Sequence, residues 1–426
     1  MLDVSVNNQA VVAYLKNITA IEGADKIVQA DVVLNGIKIT QIVTAVGTEE
    51  NTLIVYFDSN LCLSDEVLKQ YPKFGTYLAK GNRVRTIKLK GVISNGLAVN
   101  VSDFYLYESP HAFFEGYSFT HLCGIEVCKK YAPPLKVANI QHNPKKKGRK
   151  PPASRMVEGQ FYFHVDTSQL LKNAHRINPD SVISISRKVH GTSAIAANCL
   201  VKTKKKGLGK LLFWKELPKQ YDMVYASRSV IKNGVLGAPL TLKDGGYYGY
   251  DLWKEEGEKH FKGKLYQGES VYYEIVGFTP TGSCIQKGYD YGCAPNESKV
   301  YVYRITKTGQ DGHVVEYGWQ AVKGRCLELN VTPVTEYYFG RAKDLFPCIS
   351  ESTTWVNDFI GKLKETYLEK ICPDCKNKMA DEGIVLRVES SNIEVYKLKS
   401  ELFILGESKA KDAGTEDMEE EGCIIT

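Results

Sequence analysis

The chain has 426 residues, 43% of them hydrophobic and 24% charged, and a formal net charge of +6. That length suits two or three domains with buried cores, and the sequence offers no stretch near the ~20 apolar residues of a membrane span and no basic-then-apolar leader at Met1. Its 11 cysteines, odd in number and irregularly spaced, point to reduced thiols in an intracellular protein, cytoplasmic or nuclear.

From the N-terminus to residue 131 the chain reads as strands. Runs at Ile27 to Val33, Ile37 to Val46 and Leu53 to Phe57 are separated by Asn-Gly and Gly-Thr-Glu-Glu-Asn turn signals, the texture of a small barrel. Within it, Ile21-Glu-Gly-Ala-Asp-Lys-Ile27, Gly81-Asn-Arg-Val84 and Lys88-Leu-Lys-Gly-Val-Ile-Ser-Asn-Gly-Leu97 resemble the OB-folds of tRNA-binding modules. OB-folds hold single strands in a groove of basic and aromatic side chains. The resemblance therefore implies nucleic-acid contacts at Arg83, Arg85, Lys88 and Lys90; ordinary half-exposed strand positions are the other reading of these four.

Residues 132–156 turn Pro-rich and basic, with Pro144-Lys-Lys-Lys-Gly-Arg-Lys150 at their centre. Such a composition cannot bury a core and reads as an extended linker, with phosphate contacts or plain solvation as alternatives.

Residues 157–406 form the second expected domain. Asp166 or Thr167 is placed to cap a short helix over Ser168 to Ala174. Strand character follows at Val182 to Ile185, Thr192 to Cys199, Met223 to Ala226, Val271 to Phe278, Lys299 to Ile305 and Gly383 to Val388. A helix over Thr354 to Glu369 sets Trp355, Phe359, Leu363 and Tyr367 on one face, a core stripe. Many strands with few helices argue for an α+β fold of mixed antiparallel sheets.

Five pieces of this domain carry chemistry. In Arg187-Lys-Val-His-Gly-Thr-Ser193 a lysine at a strand end stands beside Gly191, where backbone can approach a ligand closely. Arg228 in Ala226-Ser-Arg-Ser229 offers a planar fork suited to phosphate. Glu274 is one carboxylate in an apolar strand, which needs a hydroxyl, a metal or a base as partner. Tyr301-Val-Tyr303 turns two aromatics to one face, where one can stack on a purine. Asp381-Glu-Gly again sets a carboxylate, Glu382, before a glycine and a strand, an oxygen ligand suited to Mg²⁺, and Lys397-Leu-Lys399 points two ammonium groups to one side.

In this order the pieces resemble the covalent nucleotidyltransferases, the superfamily of RNA ligases, DNA ligases and capping enzymes, from about Phe161 to Glu407. Lys188-Val-His190-Gly191 resembles the Lys-x-His-Gly of the RNA ligase 2 group. The stretch Phe163-His-Val-Asp-Thr167, with an OB-like N-terminal barrel ahead of the catalytic domain, resembles the Deinococcus and Naegleria type of RNA ligase. The resemblance implies an ATP-dependent RNA ligase that joins 3′-OH and 5′-phosphate ends at nicks through a lysyl-AMP on Lys188, using Mg²⁺ or Mn²⁺. Glu274 would contact the ribose, Glu382 the metal, Lys397 and Lys399 the phosphates, Arg228 ribose or phosphate, and Tyr303 the adenine. His190 would serve the later steps.

Arg187 and Ser193 depart from the pattern. A donor-only arginine stands where a glutamate often accepts from the adenine amino group, so Arg187 as a nucleotide contact keeps open a GTP-using capping-type enzyme. A non-catalytic RNA-binding relative is the remaining alternative. Cys372-Pro-Asp-Cys375 has zinc spacing without a second pair nearby. The last stretch, 407–426, reads as an acidic tail with seven acidic residues against two basic, ending in Cys423-Ile-Ile-Thr426, a weak prenylation pattern.

Overall fold

A computed structural model describes residues 7–132, 153–204, 217–236, 248 and 250–414. The basic run Pro144 to Lys150 and the terminal Cys423-Ile-Ile-Thr426 lie outside the described residues.

The N-terminal unit is built on an antiparallel sheet with strands in the order Ile37–Ala45, Ile27–Leu34, Ala10–Ala20, Leu53–Phe57 and Leu97–Asn100; Ser118–Phe119 adds to Ala10–Ala20. The run Ala10-Val-Val-Ala-Tyr-Leu15 does not alternate because both faces of this strand are covered. Val12 packs with Val55, Phe57 and Phe104, whereas Val11 and Ala13 pack with Val32, Leu34 and Ile54. The three strands expected here from Ile27 to Phe57 all form.

The rest of the chain forms two further sheets. One runs Ser168–Gln169, Glu394–Lys399, Gly383–Val388, Val182–Arg187, Glu336–Arg341. The other runs Lys219–Ser227, Thr192–Lys202, Glu269–Gly277, Ser298–Thr308, Val314–Glu316, with Thr332–Pro333 pairing to Ser298–Thr308. Nearly all pairings are antiparallel, as an α+β reading requires. The helix Trp355–Tyr367 buries Trp355, Phe359 and Leu363 against Ile183, Ile185 and Leu386 of the first sheet, and Tyr367 lies at the margin of the same cluster. Full burial of such side chains contributes about 1.5–3 kcal/mol each.

One local expectation fails. Asp166 and Thr167 cap nothing: Ser168–Gln169 pairs in parallel with Tyr396 and Lys397 before a single helical turn, Leu170–Asn173, begins. Sheet pairing captures the backbone amides that a cap would have taken.

The N-terminal unit is joined to the two-sheet body by polar contacts, one of them a buried ion pair. Lys172 and Asp58, with 4% and 8% of their side chains exposed, pair at 3.3 Å. Asn7 Oδ1 accepts from the Gln169 amide at 2.9 Å, and Lys364 Nζ donates to the Lys38 carbonyl at 2.8 Å. The terminal helix Glu401–Asp412, capped by Ser400, packs on the hairpin Thr86–Leu89/Val92–Asn95, so residues 407–414 of the expected acidic tail are ordered here. Residues 415–426 lie outside the described residues. No helix among the described residues is long and apolar enough to cross a membrane.

Candidate active site

Sheet register assembles the charged cluster. Lys188 follows the strand Val182–Arg187, and its amide donates to the Gly383 carbonyl at 2.9 Å. Gly383 faces Lys399 across the next pair, and the Ser400 amide donates to the Glu382 carbonyl at 3.0 Å. A Cβ on Gly383, at φ 134°, would lie 2.1 Å from the Leu398 carbonyl oxygen, so glycine is what lets these strands close on one another.

Three side chains consequently meet. The Lys188 ammonium lies 2.8 Å from Glu382 Oε1, and Lys399 reaches the same oxygen at 3.1 Å and Glu407 at 3.3 Å. The Glu382 side chain is 0% exposed, a buried carboxylate compensated by two cations. Lys397, two residues before Lys399 and on the same face, is held down to about 8 by burial, with the Lys399 charge adding to the effect.

Glu274 arrives from the second sheet, where it faces Ser193 across the pairing of Glu269–Gly277 with Thr192–Lys202. Gly191 permits this approach. A Cβ there would meet the Ile275 carbonyl oxygen at 2.6 Å, Val276 Cγ1 at 2.8 Å and Glu274 Oε2 at 3.2 Å. Tyr303 shares a hydrogen bond of 3.0 Å with the Ser193 hydroxyl and meets the His164 ring edge to face at 5.2 Å. Burial, then the Glu274 charge, raises its phenol well above the ordinary range.

Two adjoining cavities receive these groups. A slot of about 100 Å³ is bordered by Val189, Val334, Val385 and Val395, with His164, Tyr303 and Glu274 at its polar side. A second, of about 80 Å³, is bordered by Lys188, Gly191, Ser193, Arg228, Glu274 and Lys397. Both open beside a cleft of about 420 Å³ between the N-terminal unit and the body, where Lys188, Lys397, Lys399 and Arg228 face Lys38, Lys130 and Asp58. A slot with valine walls and a polar, charged rim, set beside a cluster of cations, could take a purine followed by phosphates.

Lys188, Glu274, Glu382, Lys397, Lys399, Gly191, Arg228 and Tyr303 thus come together as one site. Arg187 does not join them through its guanidinium. Strand alternation sends it to the face opposite Lys188, where its Nε donates to Asp381 at 2.9 Å, one terminal nitrogen pairs with Asp374 and the other donates to Cys372 Sγ at 3.0 Å. Burial would lower it, yet Asp381 more than offsets that and raises it. With its guanidinium buried among Asp381, Asp374 and Cys372 on the face away from Lys188, Arg187 does not present its donors to a base there, and the reading that placed it on the nucleotide is corrected.

His190 lines neither of the two small cavities. Its amide donates to the Tyr291 hydroxyl at 2.7 Å, and its ring packs edge-on against Tyr289 and Phe403, at 4.8 and 4.9 Å. Nδ1 lies 3.8 Å from Glu382 Oε2.

Of the four N-terminal basic residues, Arg83 is corrected. It is 1% exposed and donates to the Ser408 carbonyl at 3.3 Å while pairing with Asp412 at 2.5 Å, so it fastens the terminal helix and cannot reach a nucleic acid. Arg85 is half-buried, and Lys88 and Lys90 are exposed on the hairpin.

His164, Asp166 and Glu407 went unassigned from sequence alone. Burial and the Arg304 and Arg228 charges push His164 down to about 3, so the ring is neutral. Asp166 pairs with Arg228 and, at 3.0 Å, with Lys130 of the N-terminal unit. Burial opposes its ionisation, but Arg228, Lys130 and Lys397 bring the carboxyl below the usual range. Only the stretch Phe163 to Thr167 hinted at the first two; Glu407 was read with the acidic tail. Cys372 and Cys375 face each other at 2.7 Å, and among the described residues no group of three or more His, Cys, Asp or Glu is arranged to hold a metal.

No family model and no curated protein matches the chain. Solved structures do. A Naegleria gruberi RNA ligase variant with AMP and Mn aligns at 16% identity and a TM-score of 0.57, covering 95% of this chain and 99% of that one. A second variant, with ATP and Mn, aligns at 16% and 0.56 over 96% and 100%. The same ligase with PPi aligns at 15% and 0.55 over 94% and 98%. From the N-terminal sheet to the terminal helix, the chain shares the fold of the Naegleria gruberi RNA ligase along nearly its whole length.

Proposed function

We propose that this chain is an ATP-dependent RNA ligase that joins a 3′-OH to a 5′-phosphate, at nicks, through a lysyl-AMP on Lys188. The observation that carries the proposal is the Lys188–Glu382–Lys399 cluster at 2.8 and 3.1 Å, placed where an apolar slot opens into a cationic cleft. The shared fold supports it, since the aligned ligase structures hold AMP, ATP or PPi.

In this reading the purine enters the valine-walled slot, with Tyr303 and His164 at its edge and Glu274 toward the ribose. Lys188 gives up its ammonium proton to solvent and its nitrogen attacks the α-phosphorus; a P–N bond forms as the P–O bond to the β-phosphate breaks and pyrophosphate leaves. Lys397, Lys399 and Arg228 offset the charge that develops on the phosphates. The AMP then passes from Lys188 to the RNA 5′-phosphate, and attack by the 3′-OH releases it, with His190 serving these later steps.

Glu382 is the carboxylate that would hold Mg²⁺ or Mn²⁺. One carboxylate with phosphate oxygens and water suffices for such a hard cation, which fits a site without a three-ligand cage. When bound, the cation supplies charge neutralisation at the phosphates. Residues 1–131 serve as an OB-type unit and 157–406 as the nucleotidyltransferase domain; of the expected linker 132–156, Ser154 and Met156 bridge to Val235 and Val201 and so belong with the body. The cysteines, odd in number and irregular in spacing, suit a reducing cytoplasm or nucleus.

Incubation of the protein with labelled ATP or labelled GTP and Mg²⁺, followed by denaturing electrophoresis, tests the reading: ATP should label the chain and GTP should not. Absence of an ATP adduct would reject it.

A further inference from the structure

We infer that the RNA strand binds in the groove between the loop 283–289, the loop 377–380 and the terminal helix Glu401–Asp412, an inference that rests on the ligase reading. The groove encloses about 1170 Å³, far more than the purine slot, and holds no part of Lys188, Lys397 or Lys399.

Its position carries the first part of the argument. His190 borders this groove and none of the three cavities around the nucleotide site, although it lies only two residues beyond the nucleophile. The strand end at Lys188 thus separates two compartments. A reaction with a nucleotide and then an RNA end requires the second substrate to approach an adenylylated lysine from a side that the nucleotide does not fill. His190, Tyr289 and Phe403 form that other side as rings packed edge to face and largely buried, a firm wall beside the basic groove rather than a stacking platform.

Charge carries the second part. Lys287, Lys378 and Lys409 are exposed along the three walls, and Lys411 stands where this groove meets the inter-unit cleft. The acid that borders the groove, Glu407, is engaged by Lys399 at 3.3 Å. Lysines on three separate segments facing one space suit a phosphate backbone rather than a compact ligand. Arg83, by contrast, is buried beneath the same helix and contributes its position, not its charge.

The test uses the full chain carrying Lys287→Ala, Lys378→Ala and Lys409→Ala together, with a nicked RNA duplex as probe. Lysyl-AMP formation should be unchanged, since none of the three touches the nucleotide cavities. RNA affinity should fall at least ~10-fold and the slope of log affinity against log salt should flatten by about 2–3, at roughly 0.9 per lost phosphate contact. Sealing should fall with affinity. A parallel Lys88→Ala/Lys90→Ala chain should change the slope less. Unchanged affinity and slope in the triple variant would overturn the inference, as would a larger loss in the hairpin variant. If the groove instead receives the acidic residues 416–421 of the same chain, the triple variant binds RNA as tightly as the parent, which also overturns it. Failure of the parent to form an adduct would reject the ligase reading separately, because RNA affinity is measured without ATP.

Discussion

Lys188 and Glu382 meet at 2.8 Å because the Lys188 amide donates to the carbonyl of Gly383, the residue directly after Glu382. The lysine and its carboxylate are therefore held together through one backbone hydrogen bond. Lys188→Ala should abolish the labelled adduct outright, and Glu382→Gln should lower its rate by about 10²–10³-fold, the effect of removing one preorganised electrostatic group. Adduct yield on a denaturing gel reads both; a normal adduct in Lys188→Ala would sink the assignment.

His190 is expected to separate the steps. Its ring faces the groove with Tyr289 and Phe403 and away from the purine slot. His190→Ala should label with ATP and fail to seal a nicked RNA duplex. Loss of labelling equal to that of Lys188→Ala would place it in the first step.

Gly191→Ala should damage both stability and chemistry. The added methyl would meet the Ile275 carbonyl oxygen at 2.6 Å and Val276 Cγ1 at 2.8 Å, and neither can withdraw without opening the sheet. A loss of about 1–3 kcal/mol is expected from overpacking, read by denaturant titration. An unchanged midpoint with full adduct formation would show that the sheet yields freely.

The contact between the N-terminal unit and the body should be costly to break from one side only. Asp58→Ala leaves Lys172 as a buried charge without its 3.3 Å partner, a loss of about 3–5 kcal/mol. Thermal unfolding of the full chain measures it, and the double change Asp58→Ala/Lys172→Met should recover much of the loss. A chain begun near Val157 also exposes Lys172 and the seat of Ser408, so it should lose stability even where it still forms the adduct.

Lys397 sets a pH dependence. Held down to about 8 against an ordinary 10.5, it loses its charge as pH rises through about 8 in the nucleotide-free protein. The unfolded chain binds the extra proton between these values, so the cost of burying the charge is full below about pH 8 and is relieved from there to 10.5. For ATP the consequence is opposite in sense, because a neutral Lys397 no longer attracts phosphate. KM for ATP should rise above pH 8, and Lys397→Arg should flatten that rise; equal profiles would show that Lys397 does not hold the phosphates.

Much of the sheet that carries Lys397 and Lys399 was legible because its signals are local. Gly383 to Val388 is rich in Ile, Val and Leu and opens on a glycine where backbones close, and the strand observed there has the expected bounds. Lys397 and Lys399 share a face by the two-residue period of a strand, which needs no knowledge of neighbours. Asp166 was misread for the complementary reason: a short acid before a helical turn has the pattern of a cap, while its partners, Arg228 and Lys130, lie 62 and 36 residues away along the chain.

The amino-acid sequence by itself determined most of the strand segments and named Lys188, Glu274, Glu382, Lys397 and Lys399, residues that the fold brings near one another, since spacing, strand period and turn glycines are properties of short segments. Only the tertiary structure decided where charges point. Arg83 and Arg187 look like ligand contacts as residue types, yet each is spent on a partner more than 180 residues distant, Asp412 at a separation of 329 and Asp381 at 194. A charged side chain removed from water must find a compensating partner, and that partner is chosen by packing across the fold, where sequence neighbours have no say.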